Sequence, residues 1–403
     1  MKRLFILSQW MEIDGVEASL LGLLKELDYT QVSVDLFLTL HQGPWMREIP
    51  KEVNLLPPHP KVVRYASGLA PLRQQHAWGA YGLTQLARYL AGIWYRLFHR
   101  QKVDEIGYEQ IRYAVWAPFL PRWISEQHYD LALIFGGSPG FAQRVHASAS
   151  AVWVHTDWSH YHPILWLAKL QFRHTQRIVN VSEEARIAFE SVFCLPPKAQ
   201  SVVVENLLSP SWIKARSNLL EKPQLFDGLR LLTVGRVSPQ KNPPRALAAA
   251  RELRRRGIRF QWYFVGGGEC LESLRQLHAE SGLGDAFVIT GPTENPYPYY
   301  RWCDFYICTS DWEGKSVSVR EAQIFAKPTI ITRYPTSGSQ LEDGVDGLIV
   351  DCTPEALADA IQALADDPAR QAALSAACRT RDYANLREIG TILAWGNANS
   401  KPI

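Results

Sequence analysis

The sequence predicts an α/β protein made of two doubly wound parallel-sheet domains facing a cleft. Short apolar runs recur through both halves. Each ends in a loop rich in glycine or charge and leads into a helical pattern, as buried parallel strands joined by crossover helices do. The length of 403 residues exceeds one ordinary core and suits two of about 200 residues each. A composition of 47% hydrophobic and 21% charged residues is that of a globular chain and excludes disorder.

In the first half, strands are expected at 3–7, 32–38, 131–135, 151–154, 177–181 and 201–204, with an amphipathic helix at 16–27. Ser182, followed by Glu183 and Glu184, supplies an N-cap and an acidic first turn for a helix to about residue 193. Residues 1–208 form the first domain, and the Ser-, Pro- and charge-rich stretch 209–228 is assigned as a linker. The second domain, 229–375, reads more cleanly. Strands are expected at 231–234, 260–265, 287–290, 305–309 and 329–332. One helix opens at Pro243 and Pro244 and runs to Arg256, a second ends near Ser281, and a third spans 317–326 before Pro328. The tail, 376–403, is helical in pattern at 383–395 and is expected to cross back to the first domain.

The net charge of +3 carries no nucleic-acid motif with it. Six cysteines stand without CxxC or paired Cys/His spacing, which reads as reduced thiols. The apolar opening stops at Ser8, short of a secretory or membrane-spanning run. A cytoplasmic protein is therefore expected, touching a membrane at most from its surface.

In open α/β sheets ligands bind outside the carboxyl ends of strands, so the loops just after strands are the ones to inspect. The sharpest constellation lies at 310–322. Glu313 sits in a post-strand loop and Glu321 on the helix that follows. A helical path between them spans about 12 Å, too long for the paired carboxylates of a glycosidase but suited to gripping hydroxyls at two ends of an extended ligand. Between them, Ser316 and Val317 open a helix whose free N–H groups favour a phosphate. Arg236 and Lys241 share the loop after the first strand of this half, where two cations can neutralise a departing diphosphate. No D-x-D metal signature occurs, so these cations are expected to replace a divalent metal, and no cofactor is expected. Gly266 and Gly268, again after a strand, let backbone approach a ligand closely. Gly291 and Glu294 belong to a loop that either lines a base pocket or is a plain turn. In the first half His155 closes a buried strand. Asp157, two residues on, either faces an acceptor or caps the next turn.

The stretch 235–241, the Gly266–Glu269 loop, the Glu313/Glu321 pair and Asp343-Gly344-Val345-Asp346-Gly347 together resemble glycosyltransferase family 4. The resemblance reaches more weakly to Gly15-Val16-Glu17, to Trp153–Asp157 and to Val179–Glu184. It implies the GT-B fold of two Rossmann-like domains, retention of anomeric configuration, and independence of metal. By it, Glu313 contacts the transferred sugar, Glu321 the ribose, and Arg236 and Lys241 the diphosphate, while His155 faces the donor sugar and Gly15 lies on the acceptor side. Within that family the chain resembles members that build bacterial capsule, exopolysaccharide or lipopolysaccharide. Asn242 replaces a common glycine, and Ser339-Gln340 replaces an Arg-Glu pair.

From residue 53 to 103 there is no Asp or Glu, against seven Lys and Arg: Lys61, Arg64, Arg73, Arg88, Arg96, Arg100 and Lys102. Within 79–102, Leu83, Leu86, Leu90, Ile93 and Leu97 share one helical face, with Arg88, Arg96 and Arg100 opposite. That face either lies on an anionic membrane or packs on the domain core. The expected partners are a nucleotide-sugar donor and a glycan or lipid-linked saccharide acceptor. A nucleotide-sugar epimerase, a non-catalytic nucleotide-sugar or glycan-binding protein, and an NAD-dependent oxidoreductase are the alternatives.

Overall fold

The computed structural model describes residues 1–98, 103–218 and 226–397. It divides into two compact units, Met1–Glu205 with Leu386–Ile403, and Asn206–Asn385.

The first unit is a parallel sheet of β1 (Lys2–Ser8), β2 (Val32–Leu38), β3 (Asn54–Leu55), β4 (Ser125–Ile134), β5 (Val145–Val154), β6 (Arg177–Asn180) and β7 (Gln200–Val203), in the order β3-β2-β1-β4-β5-β6-β7. The second comprises β8 (Leu229–Val234), β9 (Phe260–Val265), β10 (Phe287–Gly291), β11 (Phe305–Cys308), β12 (Thr329–Thr332) and β13 (Leu348–Val350), ordered β10-β9-β8-β11-β12-β13. Both are Rossmann-like. In each, the chain starts in the middle, winds to one edge, then returns to build the other. The switch points fall between β1 and β4 and between β8 and β11, and the crevice beyond the strand ends opens there. Loops 235–242 and 309–316 therefore meet by topology.

Continuous apolar runs make these strands. Leu4, Phe5, Ile6 and Leu7 of β1 and Leu231 and Leu232 of β8 are fully buried, as strands covered by helices on both faces must be. In the Pro243–Arg255 helix the buried alanines Ala246, Ala249 and Ala250 let the helix lie close on the second core. Asn242 takes a left-handed φ of 45°, and its side chain accepts from Arg245 N–H as the helix cap. The glycine common here is thus replaced by the residue best suited to both jobs. Ser182 caps the Glu183–Val192 helix through Ala185 N–H, as its sequence context indicates.

Two boundaries need correction. The 209–228 stretch is not a plain linker: Ser209 caps a helix at Pro210–Arg216 that clusters with the second unit. Pro at its first position and a hydroxyl before it are helix-opening chemistry hidden in a polar composition. Its residues 219–225 lie outside the described residues. The tail divides at 385/386. Residues before the break complete the second unit, and those after it join the first. There Lys2 Nζ donates to Leu393 O at 2.7 Å, and Trp395 packs 6.2 Å from Trp153 with Arg177 over its ring. The short edge strands β3 and β13 and the helix Glu105–Trp116, capped by Asp104, are additional to the sequence expectation.

Candidate active site

Four loops converge at the strand ends of the second unit. Lys241 Nζ lies 2.6 Å from Glu313 Oε1 in an ion pair with both side chains largely buried. Ser310 Oγ donates to the same oxygen at 2.6 Å, and Gln240 Nε2 donates to Glu313 Oε2 at 3.3 Å and to Trp312 O at 2.7 Å. Glu313 is only 7% exposed, so its charge is held by three donors and not by water. Nearby, Arg245 bridges Thr309 O (2.8 Å) and Asp311 Oδ1 (2.6 Å), and Asn242 Nδ2 donates to Asp311 Oδ2 at 3.0 Å. Loops 236–245 and 309–313 are thereby stitched into one piece.

Gly235 gives the lysine its route. A Cβ there would lie 3.1 Å from Lys241 Cε. Arg236 is exposed on the same loop. Gly266 and Gly268 take φ of 150° and 154°, and a Cβ on them would stand 1.9 Å from Gly235 O and 2.4 Å from Val237 O. Their close backbone approach is thus to the neighbouring loop, which Val237 N–H fastens by donating to Gly267 O at 2.8 Å. That is a different role from contacting a ligand directly.

Glu321, 5% exposed, lies on the Val317–Ile324 helix. Burial pushes its carboxyl up to about 7, against the opposing pull of hydrogen bonds from Tyr300 and Tyr297 and the charge of Lys241. Tyr300 OH sits 2.8 Å from Glu321 Oε2, and its ring stacks on Phe325 and Tyr306. Lys241 thus acts on both acidic groups, directly on one and through space on the other.

One expectation fails here. The Ser316 N–H is not free for a phosphate: Gln340 Oε1 accepts it at 2.8 Å, while Gln340 Nε2 donates to Ser316 O at 3.2 Å. Thr336 Oγ1 donates to Glu313 O at 2.9 Å. The 312–316 backbone is therefore suspended from Gln240, Thr336 and Gln340. No spacing in the sequence pointed to Gln340, which is 24 residues from Ser316. Ser310, three residues from Glu313, was the more legible of the missed partners. Val317, largely buried, opens the helix.

Gly291 accepts from Gly266 N–H at 3.0 Å. Glu294 is exposed, and its carbonyl accepts from Arg216 at 3.2 Å. Asp346 is a buried hub, bonded by Tyr383 OH (2.6 Å), Arg381 (2.9 Å) and Glu342 N–H (2.7 Å), so the 343–347 motif clasps the 381–383 segment.

In the first unit, His155 Nε2 lies 2.7 Å from Phe135 O. A carbonyl only accepts, so Nε2 carries the proton and Nδ1 is left as an acceptor. Burial pushes the imidazole down to about 4, against the carbonyl's opposing pull, and the ring is neutral at neutral pH. Asp157 is a cap: its Oδ1 takes Ser159 N–H at 2.8 Å and Ser159 Oγ at 2.6 Å. That is the second of the two readings its sequence left open. Gly15 is the first residue of the Gly15–Glu26 helix, its N–H held by Asp14 at 2.7 Å.

Residues 218–381 match the family model described as glycosyl transferases group 1. The chain is 30% identical over 157 residues to an alpha-D-kanosaminyltransferase of Streptomyces kanamyceticus, covering 38% of this chain and 40% of the relative. It is 27% identical over 155 residues to an amylovoran biosynthesis glycosyltransferase of Erwinia amylovora, covering 36% and 37%. The chain thus spans about two fifths of the length of these curated relatives. Its fold is that of HepE of Anabaena solved with UDP and glucose, with a TM-score of 0.65 at 15% identity over 98% of this chain and 100% of that one. Residues 218–381, with the stitched loops that hold Lys241, Glu313 and Glu321, are thus similar to the group 1 glycosyl transferases, on a chain of GT-B fold.

Proposed function

We propose that this chain is a retaining, metal-independent hexosyltransferase. It moves a sugar from a nucleoside-diphosphate-sugar to a hydroxyl of a glycan, lipid-linked, in bacterial surface polysaccharide biosynthesis, working in the cytoplasm at the inner face of the cytoplasmic membrane. The Lys241–Glu313 ion pair carries the reading. It sets a cation and a carboxylate in contact at the switch point of the sheet, where a diphosphate and the sugar beside it would lie. A diphosphate draws Lys241 to itself and, with Arg236, takes up the charge of the leaving group. Glu313 is then released to accept from sugar hydroxyls. Glu321 grips the ribose, and the neutral His155 offers Nδ1 to a hydroxyl. The amylovoran relative supports the polysaccharide setting, and the UDP and glucose bound by HepE support the donor class.

A thermal-shift panel of UDP-, GDP- and ADP-sugars tests the donor. One of them at about 100 times its Kd should stabilise the fold by about 2.7 kcal/mol. Release of nucleoside diphosphate only when a glycan acceptor is added then separates transfer from epimerisation. A chain that binds none of the three donors would end the proposal.

A further inference from the structure

We propose that the outward faces of the Trp78–Phe98 and Leu165–Phe172 helices form one surface that lies on an anionic lipid bilayer. This deepens the peripheral-membrane part of the proposed function and rests on it. On the first helix the buried residues are Thr84, Ala87, Ala91 and Tyr95, while Leu86, Leu90, Ile93 and Leu97 are exposed, Leu97 by 67%. The exposed set is displaced two residues from the buried set, about 200° around the helix. A helix folded only for its own domain would do the reverse, with leucines inward and alanines out. The apolar stripe seen in the sequence is therefore not core. Leu83 alone of its members packs against the core, part-buried.

The second helix is apolar on both its inward and its outward face. Leu167, Ala168 and Phe172 are buried, while Leu165, Trp166 and Leu170 are exposed, Trp166 by 59%. The two helices are neighbours: Ala87 and Ala91 share a small core with Ile164 and Leu167, and Tyr95 OH donates to His162 O at 2.7 Å. Isolated exposed leucines are ordinary, but two adjoining helices with apolar outward faces make a patch.

Charge identifies what covers it. One residue in ten of the whole chain is acidic, yet 53–103 holds no Asp or Glu, and neither does 158–182, the segment that carries the second helix. Arg88, Arg96, Lys169 and Arg173 are exposed around the apolar ridge. Of the two acids on the helix between, Glu105–Trp116, Glu109 is bonded by Tyr65 at 2.6 Å and Arg112 at 3.1 Å, and Glu105 is exposed in its first turn. Apolar ridge, exposed tryptophan and flanking cations on both helices are the pattern of an element lying in the headgroup region of an anionic membrane. Arg100 and Lys102 lie outside the described residues and are not needed for it. Among the described residues no helix is long and apolar enough to cross a membrane.

Co-sedimentation of the full chain with phosphatidylglycerol-containing vesicles, against pure phosphatidylcholine vesicles, tests the surface. Binding is expected to the anionic vesicles, weakening with salt. It should fall about tenfold or more in Leu90→Glu/Leu97→Glu and in Trp166→Glu, and about fivefold for each cation lost in Arg88→Gln and Arg96→Gln. All four variants change exposed side chains, so unchanged thermal unfolding confirms the fold. Vesicle binding that survives the Leu90→Glu/Leu97→Glu change would overturn this surface while leaving membrane association standing. Self-association abolished by the same changes, with no vesicle binding, would overturn it in favour of a second copy of the chain. The donor thermal shift, read separately on the same variants, keeps the transferase proposal independent of either result.

Discussion

The two units have the same winding, yet the loops at their strand ends are built differently. In the second unit, side chains from distant segments hold loop backbone: Gln240 on Trp312 O, Thr336 on Glu313 O, Gln340 on Ser316. In the first unit short-range caps, Asp14 on Gly15 N–H and Asp157 on Ser159 N–H, stand beside longer-range contacts such as His155 on Phe135 O and Tyr95 on His162 O. A fixed diphosphate site rewards preorganisation, because its donors and charges must stand ready before the bond breaks. Cross-bracing of the 312–316 backbone is what a preorganised diphosphate site there would need.

Cutting the strongest brace should have the largest effect. Lys241→Met leaves Glu313 buried without its cation. Removing one partner of such a pair costs about 3–5 kcal/mol, and the remaining donors Ser310 and Gln240 hold the loss toward the lower end. Transfer should fall at least about a thousandfold, since a cation at the leaving group is lost as well. Lys241→Met/Glu313→Gln should recover much of the stability and none of the turnover. Chemical denaturation and a purified transfer assay separate the two. If the double variant is as unstable as the single one, the pair is not what holds these loops together.

Next comes Gln340→Ala. It removes an acceptor and a donor from the Ser316 peptide, each worth about 1 kcal/mol, with added cost for a buried N–H left unmet. The expected loss is about 2–3 kcal/mol, with KM for the donor raised more than kcat is lowered. Gln340→Glu can still accept from Ser316 N–H but cannot donate to Ser316 O, so it should fall between wild type and alanine. A KM unchanged by either substitution would show that the brace serves stability alone.

Glu321 sharpens the comparison through pH. Its folded-state value of about 7 lies above the ordinary 4.5, so the folded protein holds this proton more tightly than the unfolded chain does. The contribution is fully present below pH 4.5 and is lost as pH rises through about 7. His155 has the opposite sign: with its value depressed from 6.5 to about 4, its contribution is present above 6.5 and lost as pH falls through 4. Glu321→Gln should therefore flatten the decline in stability between pH 5 and 8 by up to about 3 kcal/mol. Urea denaturation across that range measures it, and a slope equal to wild type would contradict the burial assigned to this carboxyl.

The fold was legible because its strands are uninterrupted apolar runs; β9 and β12 carry the expected bounds, and Ser182 and Pro243 open helices as their chemistry dictates. The meeting of Lys241 and Glu313 was legible because both follow strands in the same sheet. What could not be read was long-range. Gln340 and Thr336 reach the 312–316 loop from another connection, and no periodicity announces a side chain that bonds a distant peptide. Gly266 and Gly268 were recognisable as positions of close approach, but whether the neighbour is a ligand or Gly235 O depends on how loops stack. The helix at 78–98 was visible as amphipathic, whereas which of its faces is buried depends on Ala87 and Ala91 meeting Ile164 and Leu167.

The smallest effect belongs to Asp157, and it tests the comparison from the other side. Its carboxylate, 4% exposed, is engaged by Ser159 through both N–H and hydroxyl. Asp157→Ala removes a cap and should cost about 0.5–2 kcal/mol. Asp157→Asn retains an oxygen for the Ser159 N–H and should cost a few tenths of that. If the Asp157 turn is fastened locally, neither change reaches past it, and KM for donor and acceptor should stay within about twofold of wild type, a shift of about 0.4 kcal/mol. An acceptor KM that rises tenfold in Asp157→Asn, with stability unchanged, would show this carboxylate working on a ligand rather than on its own turn. The reading of this carboxylate as a cap of its own turn would then have to be withdrawn.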